Sequence, residues 1–426
     1  MGLWARAKWR RAPFSISRRE PFEQEKHPRA GALPGEALHQ ASPESSRTEA
    51  AARGQIPNCV YAGSPPMEFG GGLAAGGVRR HAEAVKAFQL LAHGQPGRFE
   101  LRDVPEPRPG PGEVSVRVRA CGLNRLDLWL EEGALPIPVV LPRTPGSEIA
   151  GEVVAVGNDV ADWRAGDHVA VQSNLFCGKC EFCARGDESL CLNAMLLGVQ
   201  CEGGFAEQVL VPARALVRLP DALDFKTAAA LTLAGSTAMH MLTDRATVRS
   251  GDWVLAIGGA SGVGSAAIQI ARGLGARVIS TGSTAAKREL ALRLGAEAAV
   301  DSTDPAWPAQ VRKLTGKRGA DVVVEHVGGP VLEQVFNCLA RGGTVVTCGA
   351  TAGREPTLNL WPFFVKQQRL VGSYGRTRRD LAATLEWAAT GRLQPTIDRV
   401  FPLAETGQAF AALRSRLVLG KVLVEP

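Results

Sequence analysis

Short apolar segments that alternate with polar positions, broken by Gly and Pro, run from Val85 to about Pro220: Val85–Phe88, Glu113–Val118, Ala150–Val156, His168–Val171 and Phe205–Val211. A period of two puts every second side chain on one face, so this stretch is predicted to be β-rich and barrel-like. Between Leu223 and Ser373 the pattern changes. Six strand candidates, Trp253–Ile257, Arg277–Ser280, Ala298–Val300, Ala320–Val324, Gly343–Cys348 and Arg369–Ser373, alternate with helical stretches such as Ala266–Leu274 and Ala286–Leu294. That alternation predicts an α/β unit, a doubly wound parallel sheet with helices on both faces, and six strands are the complement of a full Rossmann dinucleotide-binding domain. After Tyr374 come a helical segment, Asp380–Ala389, and a final run, Lys421–Val424, expected to return to the first unit as an edge strand.

Before this patterned region, residues 1–84 are rich in Arg, Pro, Gly, Ser and Ala and show neither periodicity. Little there offsets the entropy of ordering, so a disordered extension is expected. Two readings of it stay open. The Arg-rich start up to Arg19 fits a mitochondrial transit peptide, yet Glu20, Glu23 and Glu25 follow closely and such peptides are poor in acids. The favoured reading is a reading frame extended upstream, with the functional start at Met67 or Val85. The expected organisation is therefore 1–84 as extension, 85–222 as a first domain to which 375–426 returns, and 223–374 as the cofactor domain.

Charge narrows the choice of partners. The formal net charge is +7, but residues 1–84 hold 12 Lys/Arg against 8 Asp/Glu, which leaves about +3 for the rest. Without a concentrated basic patch there is no case for nucleic acid. No apolar run approaches the roughly 18 residues of a membrane span, so no membrane association is expected. Nine cysteines, four of them tightly spaced, favour metal binding over a disulfide framework and hence a reducing cytoplasm.

The strand candidate Trp253–Ile257 runs into Gly258-Gly259-Ala260-Ser261-Gly262-Val263-Gly264 and then a helix. This is the order in which backbone amides and a helix N-terminus meet a pyrophosphate, so Gly259, Ser261, Gly262, Val263 and Gly264 are candidate cofactor residues. The second strand ends Ile279-Ser280-Thr281-Gly282-Ser283, with no acid to accept ribose hydroxyls or repel a 2′-phosphate. Lys287 and Arg288 lie one helical turn further on, so Ser283 and Lys287 suit NADPH, although two solvated helix charges would look the same in sequence. Val327 after the fourth strand, and Gly349 and Ala350 after the fifth, are expected to border the ribose and nicotinamide, because ligands collect at the carboxyl ends of such strands.

Cys177, Cys180, Cys183 and Cys191 have a C-x2-C-x2-C-x7-C spacing that wraps four thiolates round one ion. Four sulfurs leave no open position, so one structural Zn2+ is expected; an iron–sulfur cluster is the minor alternative.

Together these features resemble the medium-chain dehydrogenase/reductase superfamily, the zinc alcohol dehydrogenase and quinone oxidoreductase group. The resemblance covers Val85 to Pro426 and rests on Ala120-Cys121-Gly122-Leu123-Asn124-Arg125-Leu126-Asp127, on Pro145-Gly146-Ser147-Glu148-Ile149-Ala150-Gly151-Glu152, on the cysteine lobe and on the phosphate loop. It implies a GroES-like β-barrel catalytic domain beside the Rossmann domain, and a homo-oligomer, dimer or tetramer. In the zinc alcohol dehydrogenases of that superfamily a Cys, a His and a second Cys hold a reactive zinc. Here Cys121 matches the first, but Ser147 and Leu233 stand at the other two positions. A thiolate and a hydroxyl do not make an open tetrahedral site, and rescue by Glu148 or Asp127 would give a poor one. The resemblance is then closest to zinc-independent quinone and enone reductases, whose Gly-x-Asn-x-x-Asp stretch is matched by Gly122, Asn124 and Asp127.

Asn124 and Asp127 are the catalytic candidates, one to donate to the nicotinamide region or a carbonyl, the other to orient it or relay a proton. Both equally suit the start of a helix at Arg125, as cap and first-turn carboxylate. The expected activity is NADPH-dependent reduction of quinones or α,β-unsaturated carbonyls, a small-molecule substrate. A zinc-type alcohol dehydrogenase and a low-turnover NADPH-binding sensor are the alternatives.

Overall fold

The structure of the protein is a computed structural model, and it describes residues 84–426. The expectations for the N-terminal extension lie outside them.

The alternating segments of the first unit become a seven-stranded sheet. Its path runs Ile397–Pro402, Lys421–Glu425, Glu113–Gly122, Glu148–Val156, His168–Val171, Leu216–Arg218, with Gln208–Pro212 also paired to Glu113–Gly122. Period two works as expected: Val114, Val116 and Val118 of one strand meet Val153, Val169, Val209, Val422 and Phe205 in a single core, each at most 2% exposed. A hairpin of Ala84–Ala92 and Arg98–Pro105 lies alongside, with Phe88 stacked on Phe99 at 5.0 Å between ring centres.

The return of the C-terminal strand differs from expectation. Lys421–Glu425 is not an edge strand; it pairs parallel with Ile397–Pro402 on one side and antiparallel with Glu113–Gly122 on the other. The sequence reading missed the outer strand because Ile397-Asp398-Arg399-Val400-Phe401-Pro402 is half exposed and shows no clear alternation. An interior position explains why Val422, Leu423 and Val424 are all fully buried.

The second unit is a six-stranded parallel sheet in the order Ala298–Asp301, Arg277–Gly282, Trp253–Ala256, Ala320–Glu325, Leu339–Thr347, Arg369–Gly372. All six sequence candidates are there, within a few residues of their expected bounds. Alternate residues feed opposite faces: Val254 and Ala256 pack with Ile268 and Ile270 of helix Gly262–Gly273, while Leu255 packs with Trp307, Val311 and Val335. The strand order reverses beside Trp253–Ala256, and the crevice at that switch point opens toward the barrel. Helix Phe225–Thr232 is a seam rather than a boundary, since its Ala228 and Ala229 pack on Ala120, Ala150 and Ala170 of the barrel and on Leu381 and Leu385 of helix Arg378–Ala389.

Candidate active site

Ser261 is the N-cap of helix Gly262–Gly273, and its hydroxyl accepts from the Gly264 amide at 3.0 Å. Before it, Gly258 takes a left-handed φ of 62° and donates to Thr281 Oγ1 at 2.9 Å, which ties the loop to the second strand. Gly259 and Gly264 serve close packing rather than the cavity wall: a Cβ on the first would fall 2.0 Å from Ser280 Oγ, and on the second 2.2 Å from Gly258 O. The loop, with Ser261, Gly262 and Val263, forms the floor of a cavity of about 390 Å³. Free amides at a helix N-terminus facing such a cavity suit an anion.

Beyond the second strand, Ser283 and Lys287 at the start of the next helix line this cavity. Lys287 Nζ also donates to the carbonyl of Arg416 at 2.7 Å, and Arg416, which the sequence reading missed, lines the same cavity. Arg288 is otherwise engaged, bonded to Asp301 at 2.8 Å and to the Gly282 carbonyl at 3.0 Å. Val327 is in the wall. Gly349 lies behind it, where a Cβ would meet His326 O at 2.2 Å, and Ala350 is likewise outside the wall; Thr351 takes the wall position after the fifth strand. His326 Nε2 sits 2.9 Å from the Ile257 carbonyl and 3.2 Å from Ser261 Oγ, bracing the loop against the fourth strand, and burial pushes its pKa down. Glu325 beneath it is fully buried, accepting from the Val327 and Gly328 amides and the Thr347 hydroxyl.

Opposite the loop, strand Glu113–Gly122 turns at Asn124 into helix Arg125–Glu132. Asp127 is 0% exposed, with one oxygen on the Asn124 amide at 2.7 Å and the other on the Gly146 amide at 3.3 Å. It does not line the cavity, and burial raises its pKa to about 7. The Asn124 carboxamide, in contrast, turns into the cavity wall, its Nδ2 donating to Glu148 Oε2 at 3.1 Å and its Oδ1 accepting from Lys421 at 2.7 Å. Asn124 caps the helix by its backbone and leaves its side chain to the site.

Lys421 is the central residue that the sequence reading did not single out. Its buried ammonium uses all three protons, on Leu123 O at 2.6 Å, Asn124 Oδ1 at 2.7 Å and Glu148 Oε2 at 2.5 Å. The other Glu148 oxygen accepts from the Leu233 and Ala234 amides, each at 2.8 Å. With four partners, Glu148 has its acceptor sites filled. Cys121 is fully buried, and desolvation, with Asp127 next, pushes its thiol well above its ordinary value. Ser147 is also fully buried and gives its hydroxyl to Leu197 O at 2.6 Å. No pattern of spacing pointed to Lys421, because its partners are some 270–300 residues away in the chain and meet it only through the interior strand.

The four cysteines of the lobe come together as their spacing predicted. Cys180 and Cys183 sulfurs are 3.5 Å apart, Cys177 to Cys183 and Cys180 to Cys191 are 3.9 Å, and all four lie within 4.8 Å of one another. Tetrahedral zinc with Zn–S near 2.3 Å sets sulfurs about 3.8 Å apart, so the donors fit that ion. Among the described residues this is the one group of three or more His, Cys, Asp or Glu arranged to hold a metal.

Residues 110–221 match the alcohol dehydrogenase GroES-like domain, and residues 262–390 the zinc-binding dehydrogenase domain. A quinone oxidoreductase of Pseudomonas aeruginosa is 32% identical over 351 residues, 80% of this chain and 100% of that protein. The chain belongs to the medium-chain dehydrogenase/reductase superfamily. Another member, an alcohol dehydrogenase of Geobacillus stearothermophilus, is 31% identical over 77% of this chain and 96% of its own length. Among solved structures, an NAD-dependent alcohol dehydrogenase superposes with a TM-score of 0.77 at 39% identity over 80% of this chain and 99% of that one. A 2-octenoyl-CoA carboxylase reductase solved with NADP and 2-octenoyl-CoA superposes with a TM-score of 0.75 at 28% identity, over 80% and 87%. This medium-chain dehydrogenase/reductase is thus an oxidoreductase acting on small molecules, with a GroES-like barrel and a Rossmann domain. No helix among its described residues is long and apolar enough to cross a membrane.

Proposed function

We propose that this oxidoreductase reduces quinones or α,β-unsaturated carbonyl compounds with NADPH, using one structural zinc and no catalytic one. The Lys421–Glu148–Asn124 cluster carries the reading. Around Cys121, Ser147 and Leu233 a reactive zinc would need two further strong donors, but of the two nearby carboxylates Glu148 is saturated by an ammonium and three N–H groups and Asp127 has both oxygens on backbone amides. When bound, NADPH supplies the hydride, and reduction of a polarised C=C then asks the protein mainly for alignment and hydrogen-bond donors. Ser261 and the amides after it would hold the pyrophosphate, while Lys421 fixes Asn124 so that its carboxamide borders the reacting end.

Preference for NADPH follows from the acid-free second strand and from Ser283, Lys287 and Arg416 on the cavity wall. A 2′-phosphate there meets cations rather than a carboxylate. NADPH should bind at least about tenfold tighter than NADH, a gap of about 1.4 kcal/mol. The decisive experiment is an NADPH-oxidation screen over quinones, enones and aldehydes, joined to metal analysis. About one zinc per chain and chelator-resistant turnover support the proposal. A second tightly held zinc, with turnover lost on its removal and restored on its return, overturns it in favour of a zinc alcohol dehydrogenase. Tight NADPH binding with no turnover across the panel points to a sensor instead.

The assembly belongs to the same proposal. Among the described residues the last Rossmann strand, Arg369–Gly372, pairs on one side only, and its Leu370 is exposed together with Trp361 and Phe364 of helix Leu360–Val365. Two copies related by a twofold axis would pair these edges and cover the apolar residues.

A further inference from the structure

Two short segments meet beside the Glu148 cluster. Gln172–Asn174 follows the barrel strand His168–Val171, and Ser373–Arg376 follows the last Rossmann strand. Gln172 Nε2 donates to the Arg376 carbonyl at 2.9 Å, and a Cβ on Gly375 would fall 2.8 Å from the Asn174 side chain. The Ser173 carbonyl accepts from the Leu197 amide, and the Leu197 carbonyl takes the Ser147 hydroxyl. This links the junction directly to the position where a metal ligand would stand.

Arg376 is only 3% exposed, and its Nε and Nη2 find no hydrogen-bond partner among the described residues. Gln172 Oε1, Ser173 Oγ and Ser373 Oγ, on the same two segments, are buried without partners as well. A cluster of this kind is costly unless something completes it, since each unsatisfied buried polar group forfeits its hydration. The neighbouring acids are not available to do so. Arg376 forms no ion pair with either among the described residues: Asp380 turns its Oδ2 to Thr377 N, Thr377 Oγ1 and the His240 ring, and Glu148 is saturated as described. Burial lowers the Arg376 pKa to about 10, so the guanidinium remains a cation at neutral pH.

The two unpaired nitrogens decide the ligand. Nε and Nη2 form one edge of the guanidinium plane, the parallel N–H pair that grips both oxygens of a carboxylate. Tyr374, two residues earlier, is 58% exposed, so the segment leads from the surface to the buried cation within one turn of chain. We propose that Arg376 anchors a carboxylate carried by the substrate, with Ser173 and Ser373 as supporting donors, so that the preferred substrates are enones or quinones bearing an acid group. This rests on the reductase reading for the fate of the substrate, but not for the existence of the anchor.

The test uses a matched pair, 4-oxo-4-phenylbut-2-enoate and its methyl ester, reduced with NADPH. In parallel, the saturated acid, 4-oxo-4-phenylbutanoate, and its methyl ester are titrated into the NADP+-loaded protein. The acids should show KM and Kd values at least about tenfold below those of the esters, the order expected for a buried charged pair. In R376Q the acid preference should collapse to within about threefold, and R376K should recover part of it. Equal binding of acid and ester by the unaltered protein overturns the anchor, as does an R376Q variant that keeps the preference. If R376Q fails to fold, the comparison on the unaltered protein alone decides. Preferential binding of the saturated acid with neither enone reduced sinks the reductase reading and leaves the anchor standing. Equal reduction of both enones, with equal binding of both saturated analogues, does the reverse.

Discussion

At the scale of single residues, the site is organised by charges almost wholly withdrawn from bulk water. Lys421 and Glu148 are 4% and 0% exposed, and removing one leaves the other as an unpaired buried charge. K421M should therefore destabilise the protein by about 3–5 kcal/mol, measured by chemical denaturation, and E148Q added to it should restore part of that loss. Asp127 gives a pH signature. Its carboxyl titrates near 7 in the fold because of burial, against an ordinary 3.8, so the folded chain holds the proton more tightly than the unfolded one. The stability of the native chain relative to D127N should be greatest below pH 4, decline between pH 4 and 7, and stay level above, as followed by unfolding at each pH. The sequence did reveal which positions depart from a zinc-ligand set, because Ser147 and Leu233 can be read directly. It did not reveal Lys421 or Arg376, whose meaning depends on partners brought together from distant parts of the chain.

At the scale of elements, periodicity and glycine punctuation were sufficient wherever one face of a strand or helix is fully buried. The four inner Rossmann strands and the phosphate loop are legible for that reason, whereas the edge strand Arg369–Gly372, with no buried residue, is legible only from its place in the strand–helix alternation. The half-exposed strand Ile397–Pro402 was not, and without it Lys421–Val424 looked like an edge. The cysteine lobe was legible for a different reason: helix Glu181–Ala184 and the turn Glu188–Leu190 are too short to fold on their own account, so four sulfurs in a fixed spacing are what shapes the segment. Replacing Cys183 by Ser should release the zinc, lower the melting temperature and make residues 177–192 the first site of limited proteolysis. Unchanged zinc content in C183S would show that the ion sits elsewhere.

On the scale of the whole molecule, the barrel and the Rossmann sheet are joined by shared alanines along helix Phe225–Thr232 and by the C-terminal return. Among the described residues the edge Arg369–Gly372 has a strand partner on one side only, and the proposed pairing with a second copy would use its other side. Sedimentation should show a dimer or a larger even assembly, and L370D combined with W361D should yield monomers; an unaltered monomer at micromolar concentration would contradict the pairing. The proposed pairing was accessible from sequence only through resemblance, since exposure of Trp361 and Phe364 is a property of the folded surface. The route of the final strand has one more effect. Lys421 arrives from a strand threaded between two earlier ones, and no upstream residue takes its place at Glu148. Both cores can collapse before that strand arrives, but the reaction chamber stays unfinished until Lys421 has been threaded into place against Glu148.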